Sequence, residues 1–176
     1  MKTLHAVVAA AFLLSQVQTA VALLRAPGSA SGESVAVELS TIGLDGRTGL
    51  PIVVLRDPES GSVLPIWVGS AEAQAIALSL HGVIPPRPMT HDLMASLIAE
   101  LRAEIEEVVV TDLRNNIYFG VVRLRVDGER RIREVDSRPS DALALALRTG
   151  APIRVARKIL AAVPEFDFIA PEGPNQ

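Results

Sequence analysis

The sequence contains no cysteine, and aromatic residues make up only 3% of its 176 residues. Without cysteine the chain forms neither disulfides nor thiolate metal sites, and it has no cysteine nucleophile. Three histidines, His5, His81 and His91, leave few options for a histidine-rich metal cluster. The scarcity of aromatic side chains argues against an extended stacking groove for single-stranded nucleic acid.

The net charge is of the wrong sign for a protein that binds a polyanion over its whole surface. It is −3 at pH 7, so a nucleic acid substrate requires a local basic patch or a metal ion. Hydrophobic residues make up 49% of the chain, which predicts one well-buried core and a single compact domain. The sequence has no phosphate-binding P-loop, nucleophilic serine elbow or glycine-rich dinucleotide motif.

The first 22 residues have the pattern of a secretory signal peptide. Lys2 gives a positive start, residues 6–14 are apolar, and Ala20-Val21-Ala22 is a small-residue cleavage pattern. We therefore expect cleavage after Ala22 and a secreted or periplasmic protein with no membrane segment left. The alternative is an uncleaved membrane anchor, although the apolar run is shorter than the ~20 residues of a membrane span. The remaining segments are a flexible leader (23–33), the folded domain (34–163) and a tail (164–176).

Hydropathy patterns predict two sets of strands and helices. The strand-like runs are Val35–Thr41, Ile52–Asp57, Val63–Val68, Glu107–Leu113, Tyr118–Val126 and Arg131–Asp136. The helix-like runs are Ala71–Leu80, Thr90–Glu104, Pro139–Leu147 and Ala156–Val163. Each set has three strands followed by two helices. This order predicts an α+β fold of antiparallel meander strands with helices packed on the sheet.

The repeated order indicates that a β3α2 unit is used twice. Residues 72–78 and 141–147 align acid on acid and alanine on alanine. Gly82 and Gly150 follow the first helix of each set, where a left-handed cap favours glycine. If a pseudo-twofold axis relates the halves, Glu72 and Asp141 can face each other across it.

Four ordered sequence blocks resemble the bifunctional nuclease domain family. The blocks are LPIWVGSAEAQAIALSLHG (64–82), RPMTHDLMASLIAEL (87–101), TDLRNNIYFGVVRL (111–124) and VDSRPSDALALALRTGAPIRV (135–155). The resemblance extends over residues 34–163. It implies a duplicated β3α2 domain and, for some plant members, hydrolysis of both RNA and DNA.

Acidic side chains in these blocks are candidates for metal-assisted phosphodiester hydrolysis. Because cysteine is absent and histidine is scarce, carboxylates must dominate a metal site, and such hard oxygen ligands suit Mg, Mn or Ca. The candidate metal ligands are Asp136, Asp141, Glu72 and Asp92. The candidate catalytic residues are His91 as an acid or base, with Arg138 and Arg87 as phosphate clamps.

Each candidate also has a purely structural interpretation. Glu72, Asp92 and Asp141 fall in the first turns of predicted helices, where backbone N–H groups and the helix dipole favour an acid without any ligand. Arg138 can simply connect its loop to a neighbouring acid. His91 can be a surface residue beside a helix cap.

Basic residues concentrate between positions 113 and 158. That stretch has 11 basic and 5 acidic residues, an excess that can meet a phosphate backbone. Arg123 and Arg125 share one strand face by their two-residue spacing, and so do Arg131 and Arg133 on the next predicted strand. We expect these four arginines to form a nucleic-acid-binding ladder across the hairpin. The alternative is a solvated sheet face.

Two functions follow from these patterns. The first is metal-assisted hydrolysis of RNA, DNA or both, with low sequence specificity. The second is a non-catalytic binding or homo-oligomer-forming module in which the acids are helix caps. A hydrophobic edge strand at Val108–Thr111 would favour assembly by strand pairing.

Overall fold

The computed structural model describes residues 34–162 and 168–169. The strands are β1 (Ser34–Asp45), β2 (Pro51–Arg56), β3 (Val63–Trp67), β4 (Ala103–Arg114), β5 (Ile117–Val126), β6 (Arg133–Ser137), β7 (Ile153–Ala156) and β8 (Phe168–Ile169). The helices are α1 (Ser70–Leu80), α2 (Thr90–Glu100), α3 (Pro139–Thr149) and α4 (Arg157–Leu160). None of the helices in this part of the chain is long and apolar enough to cross a membrane.

Several predicted segments lie outside the described residues. They are the signal peptide with its cleavage site after Ala22, the leader over 23–33, and most of the tail over 164–176. The described part of that tail is Phe168–Ile169, which pairs with the end of β1 as β8.

The strands form one mixed sheet in the order β3-β2-β1-β7-β4-β5-β6, with β8 beside β1. All neighbouring pairs are antiparallel except β4 and β7, which run parallel. The α+β class is confirmed, but the purely antiparallel meander is wrong. The reason is that the chain returns after α3 and places β7 between β1 and β4.

This order also changes which strands are exposed at the edges. The predicted edge segment Val108–Thr111 belongs to β4, which has β7 on one side and β5 on the other. Residues 108–110 are therefore paired on both sides, and the prediction of an exposed edge there is wrong. In the described sheet the edges are β3 and β6, each only five residues long.

Two predicted helices differ from the structure. The helix predicted to reach Glu104 ends at Glu100, because Arg102 has a left-handed φ of 55° and β4 begins at Ala103. The predicted helix Ala156–Val163 contains only the four-residue α4, which directly follows β7. Gly82 and Gly150 have positive φ values of 64° and 72° after their helices, as expected for left-handed caps.

The duplication of a β3α2 unit stays a prediction. Both halves begin with three strands and a buried helix, α1 or α3. After that the first half continues with α2, whereas the second half inserts β7 before the short α4. The order of elements is therefore similar but not identical.

The core lies between the sheet and the helices, with α3 at its centre. Residues 142–146 of α3 are apolar and all buried, so the middle of this helix is covered around its whole circumference. Facing it are Val108 and Val110 of β4 and Val122 of β5. Helix α2 is different, because His91 is its only buried residue. It therefore covers the β5–β6 end of the sheet incompletely.

Candidate functional site

The corner between β6 and α3 supports the candidate site. Pro139 begins α3, and Arg138 before it has an extended backbone, with φ −68° and ψ 143°. Proline at this position presets the backbone for a helix start. On β5, a Cβ at Gly120 would lie 3.3 Å from the carbonyl oxygen of Ser137, so glycine permits this close approach.

The Arg138 guanidinium bridges two carboxylates from different helices. Its Nε and Nη2 atoms donate to Oδ2 and Oδ1 of Asp141 at 2.7 and 3.0 Å. The same Nη2 lies 2.9 Å from Oε1 of Glu72, in the first turn of α1. Glu72 and Asp141 therefore both contact the Arg138 guanidinium.

His91 completes this cluster from the start of α2. Its Nε2 lies 3.1 Å from Oδ1 of Asp141, and the residue is only 8% exposed. An ionised carboxylate accepts a hydrogen bond from Nε2–H, which leaves the lone pair of a neutral imidazole on Nδ1. Asp141 thus orients the ring so that Nδ1 is the nitrogen able to take up a proton.

The electrostatics of the cluster follow from the same contacts. Burial raises the pKa of the Asp141 carboxyl, but hydrogen bonds from Arg138 and His91 outweigh it, so this pKa lies below its ordinary value. The hydrogen bond and charge of Asp141, together with Glu72, raise the pKa of Arg138. Asp141 and Arg138 are therefore both charged at neutral pH.

These side chains line one cavity of about 490 Å³ at the β6 edge of the sheet. Its polar corner contains Glu72, His91, Arg138 and Asp141. The other walls are mainly apolar and include Met89, Met94, Ile98, Val122, Leu124, Val135 and Leu145. A volume of this size is in the range of small-molecule sites, about 300–1,000 Å³.

Two predicted site residues are not in this corner. Asp92 is part of α2, but its Oδ1 accepts from Nε of Arg148 at 2.5 Å and its Oδ2 accepts from the backbone N–H of Met89 at 2.8 Å. Its pKa is lowered first by the Met89 hydrogen bond and then by the Arg148 one. Arg87 is exposed in the connector between α1 and α2, and neither residue lines the cavity in the described part of the chain.

The acidic residues fit a divalent cation in chemistry and charge. Glu72 and Asp141 are hard oxygen donors, and together with Arg138 they leave one negative charge uncompensated. Asp136, a predicted ligand, pairs with Val121 and follows Val135, so its side chain is on the opposite face of β6 from the cavity wall. The arrangement of the acidic residues is not that of a formed metal centre. Among the described residues no three carboxylate or imidazole groups surround one point. Two of the carboxylates instead bind the Arg138 guanidinium.

The predicted four-arginine ladder is not formed. Arg131 lies in the exposed loop before β6, outside the strand. Arg133 pairs with Leu124 across the β5–β6 ladder, so it is on the opposite face from Arg123. The residue facing Arg123 is Glu134, whose Oε1 accepts from Nε of Arg123 at 2.9 Å.

Acidic partners also compensate most of these arginines. Arg123 further binds Glu107, and Arg125 donates to Oε1 of Glu106 at 2.5 Å. Arg133 binds Glu129. This pattern matches the alternative of a solvated, internally neutralised sheet face.

Arg148 and the apolar cavity wall were not predicted from the sequence. Arg148 is the basic residue in the last turn of α3 and directly follows the apolar run 142–147, and that contrast is the one local signal of a special role. The wall residues Met89 and Met94 are close in sequence to His91. Only the tertiary arrangement shows that they line the same cavity.

A family model and two plant relatives point to the same protein family. A family model described as "Bifunctional nuclease domain" matches residues 53–166. An uncharacterized protein of Mycobacterium tuberculosis is 44% identical over 111 residues, which are 63% of this chain and 65% of that protein. Bifunctional nuclease 1 of Oryza sativa subsp. japonica is 26% identical over 109 residues, 61% of this chain and 33% of the rice protein.

A second plant protein gives a similar match. Bifunctional nuclease 2 of Arabidopsis thaliana is 28% identical over 105 residues, 59% of this chain and 32% of the plant protein. The chain therefore spans about a third of the plant relatives and slightly less than two thirds of the mycobacterial one.

Proposed function

Because this chain belongs to the bifunctional nuclease domain family, we propose that it hydrolyses phosphodiester bonds of RNA, DNA or both with low sequence specificity. The reaction takes place at the cavity beside β6. One observation carries the assignment: three separate chain segments bring Glu72, His91, Arg138 and Asp141 into one contact cluster on the wall of a cavity.

In this proposal Arg138 binds the non-bridging oxygens of the phosphate. Its side chain is 66% exposed, so a phosphate can reach the guanidinium while Asp141 holds the other edge. A positive group at this place stabilises the charge that develops on the phosphoryl oxygens. Glu72 and Asp141 position the guanidinium at the mouth of the cavity.

His91 is the proposed proton-transfer group. Asp141 accepts a hydrogen bond from its Nε2–H, so Nδ1 takes a proton from the attacking water or returns one to the leaving oxygen. This division of roles is the logic of an imidazole oriented by a carboxylate. Asp141 is then a positioning residue for both Arg138 and His91.

A divalent cation, Mg, Mn or Ca, stays part of the proposal. Glu72 and Asp141 are the residues that would hold it, and their excess negative charge over Arg138 supports this. When bound, such a cation supplies Lewis-acid stabilisation of the phosphoryl oxygens and a more acidic water. Arg87 and Asp92, which do not line the cavity, are left without a direct role.

The second candidate function, a homo-oligomer-forming module, is supported by the outer face of α2. Leu93, Leu97 and Leu101 recur every four residues and are all exposed, with Met94 beside them. We call these four residues the α2 leucine face. The occupant that we consider is the same face of a second copy, because one row of leucines can pack against itself about a twofold axis.

The nuclease proposal is tested by hydrolysis of fluorescent RNA and DNA strands by the purified chain. Each substrate is incubated with Mg, Mn or Ca, and in parallel with EDTA. Asp141→Asn is expected to lower the rate at least about 100-fold, since Arg138 and His91 lose their shared anchor. Loss of turnover in EDTA would support the cation, and turnover in EDTA would contradict it.

The matched control is Asp127→Asn, which changes an exposed acid in the β5–β6 turn. It is expected to keep the rate of the unmodified chain. Circular dichroism and a urea unfolding curve check that both variants are folded. Equal rates for the chain and folded Asp141→Asn, or no turnover with any cation, would refute the proposed site.

A further inference from the structure

The apolar wall of the cavity has no role in the chemistry proposed above. It is formed by Met89, Met94 and Ile98 from the α2 side and by Leu124 and Val135 from β5 and β6. Arg138 and Asp141 line the same cavity. One ligand in this cavity therefore contacts a charged corner and an apolar wall together.

The wall is open because β6 is an edge strand that α2 covers incompletely. Val135 is 47% exposed and Met94 is 38% exposed, although both line the cavity. Val135 lies opposite the buried Val122 in the β5–β6 ladder, so its side chain is on the helix-covered face. Apolar side chains on that face remain in contact with solvent, and a ligand can bury them.

The combination of groups indicates the chemistry of the ligand. An anion at Arg138 and a flat apolar group a short distance away are the two parts of a nucleotide. Methionine side chains adapt in shape and make favourable contacts with aromatic rings. The volume of about 490 Å³ suits one small ligand, whereas a base pair within a duplex cannot enter without unstacking.

We propose that the cavity binds one unpaired nucleotide, with its base against Met89, Met94 and Val135 and its phosphate at Arg138. This inference rests on the proposed nuclease function and names its substrate as unpaired RNA or DNA. A single-base pocket also agrees with the low aromatic content, because it requires no extended stacking groove. The wall is apolar, so it accepts different bases, as low sequence specificity requires.

The test uses the methionines as reporters. The chain has three, Met1, Met89 and Met94, so ¹³C-methyl labelling gives a simple NMR spectrum. Met89→Leu and Met94→Leu variants assign the two cavity signals. The full chain is titrated with adenosine monophosphate and, separately, with ribose 5-phosphate, which has the sugar and phosphate but no base.

Adenosine monophosphate is expected to give saturable ring-current shifts of the Met89 and Met94 methyl signals, and ribose 5-phosphate is expected to leave both signals in place. Met94→Ala is expected to weaken binding of adenosine monophosphate about two- to tenfold. Met94→Leu, which keeps an apolar wall, is expected to bind like the unmodified chain. Equal shifts from both ligands, or none from adenosine monophosphate, would overturn the base pocket.

The kinetic readout separates this inference from the proposed function. In Met94→Ala the KM for a single-stranded substrate is expected to rise while kcat is kept, and a duplex of the same sequence is expected to react more slowly than the single strand. Hydrolysis without methionine shifts would support the nuclease proposal and refute the base pocket. Methionine shifts without hydrolysis would support the base pocket and refute the nuclease proposal.

Discussion

Arg148 does not line the cavity, but its side chain connects the helices that form the cavity walls. It belongs to α3, it is 10% exposed, and it donates to the carbonyl oxygens of Ala144 within α3 and Ala75 in α1. Its Nε binds Asp92 in α2. The three helices that supply Glu72, His91 and Asp141 are therefore connected through a single guanidinium.

Arg148→Met should lower the free energy of unfolding by about 2–3 kcal/mol, because the partly buried Asp92 carboxylate loses its charged partner while most of the side-chain volume is kept. Urea unfolding at pH 7 measures this change. Arg130→Met alters an exposed loop arginine and is the matched control, expected within about 0.5 kcal/mol of the unmodified chain. Equal losses in both variants would show that the connection between helices is unimportant.

Several residues of the site were predicted from the sequence, but their contacts were not. Glu72 and Asp141 were expected at equivalent helix starts, and both do contact the Arg138 guanidinium. Asp92 was predicted in the same group because it also begins a helix. Its actual partner is 56 positions away in the sequence, and no local pattern reports such a pairing.

Among the elements, the β1–β2 turn depends on one buried carboxylate. Asp45 is almost fully buried and accepts hydrogen bonds from the backbone N–H of Arg47 at 2.9 Å and from Nε1 of Trp67 at 2.7 Å. The Arg47 hydrogen bond is the main cause of its lowered pKa, which burial opposes. The turn and β3 are thus connected through an ionised side chain.

The stabilisation from Asp45 should therefore depend on pH. A carboxyl whose folded pKa is lowered contributes stability above its unfolded pKa, about 3.9, and this contribution is lost as pH falls through the folded pKa. Asp45→Asn should be less stable than the unmodified chain at pH 7, and the difference should shrink as pH falls below 4. Urea midpoints over this range provide the measurement, and a difference independent of pH would contradict the role of the charge.

Element types were more predictable than their registers. Hydropathy patterns located six of the strands, and the helix signals located α1, α2 and α3. The four-residue β7 was missed because Ile153–Ala156 is too short to show a period. The arginine ladder failed for a related reason, since a one-residue offset between β5 and β6 moves Arg133 to the opposite face from Arg123.

At the scale of the whole molecule, the exposed α2 leucine face predicts that two copies of the chain associate. If a second copy covers it, Leu97→Glu should shift the chain from dimer toward monomer, because burying the new charge is costly. Sedimentation velocity over a range of concentrations measures the shift. Ile117→Glu, at an exposed apolar position in the β4–β5 hairpin, is the matched control and should not change the association state. An unmodified chain that is monomeric throughout would rule out this interface.

The position of β1 has a consequence for how the molecule acquires its structure. β1 begins the described chain but lies inside the sheet, where Ser34 pairs with Ala156 and Val35 pairs with Val155. Arg154 also donates to Ser34 Oγ across 120 positions of sequence. Such distant pairing gives a high contact order and slow folding. During synthesis, a growing chain cannot complete its central strand pairing until β7 has emerged, so the two halves cannot mature as independent folding units.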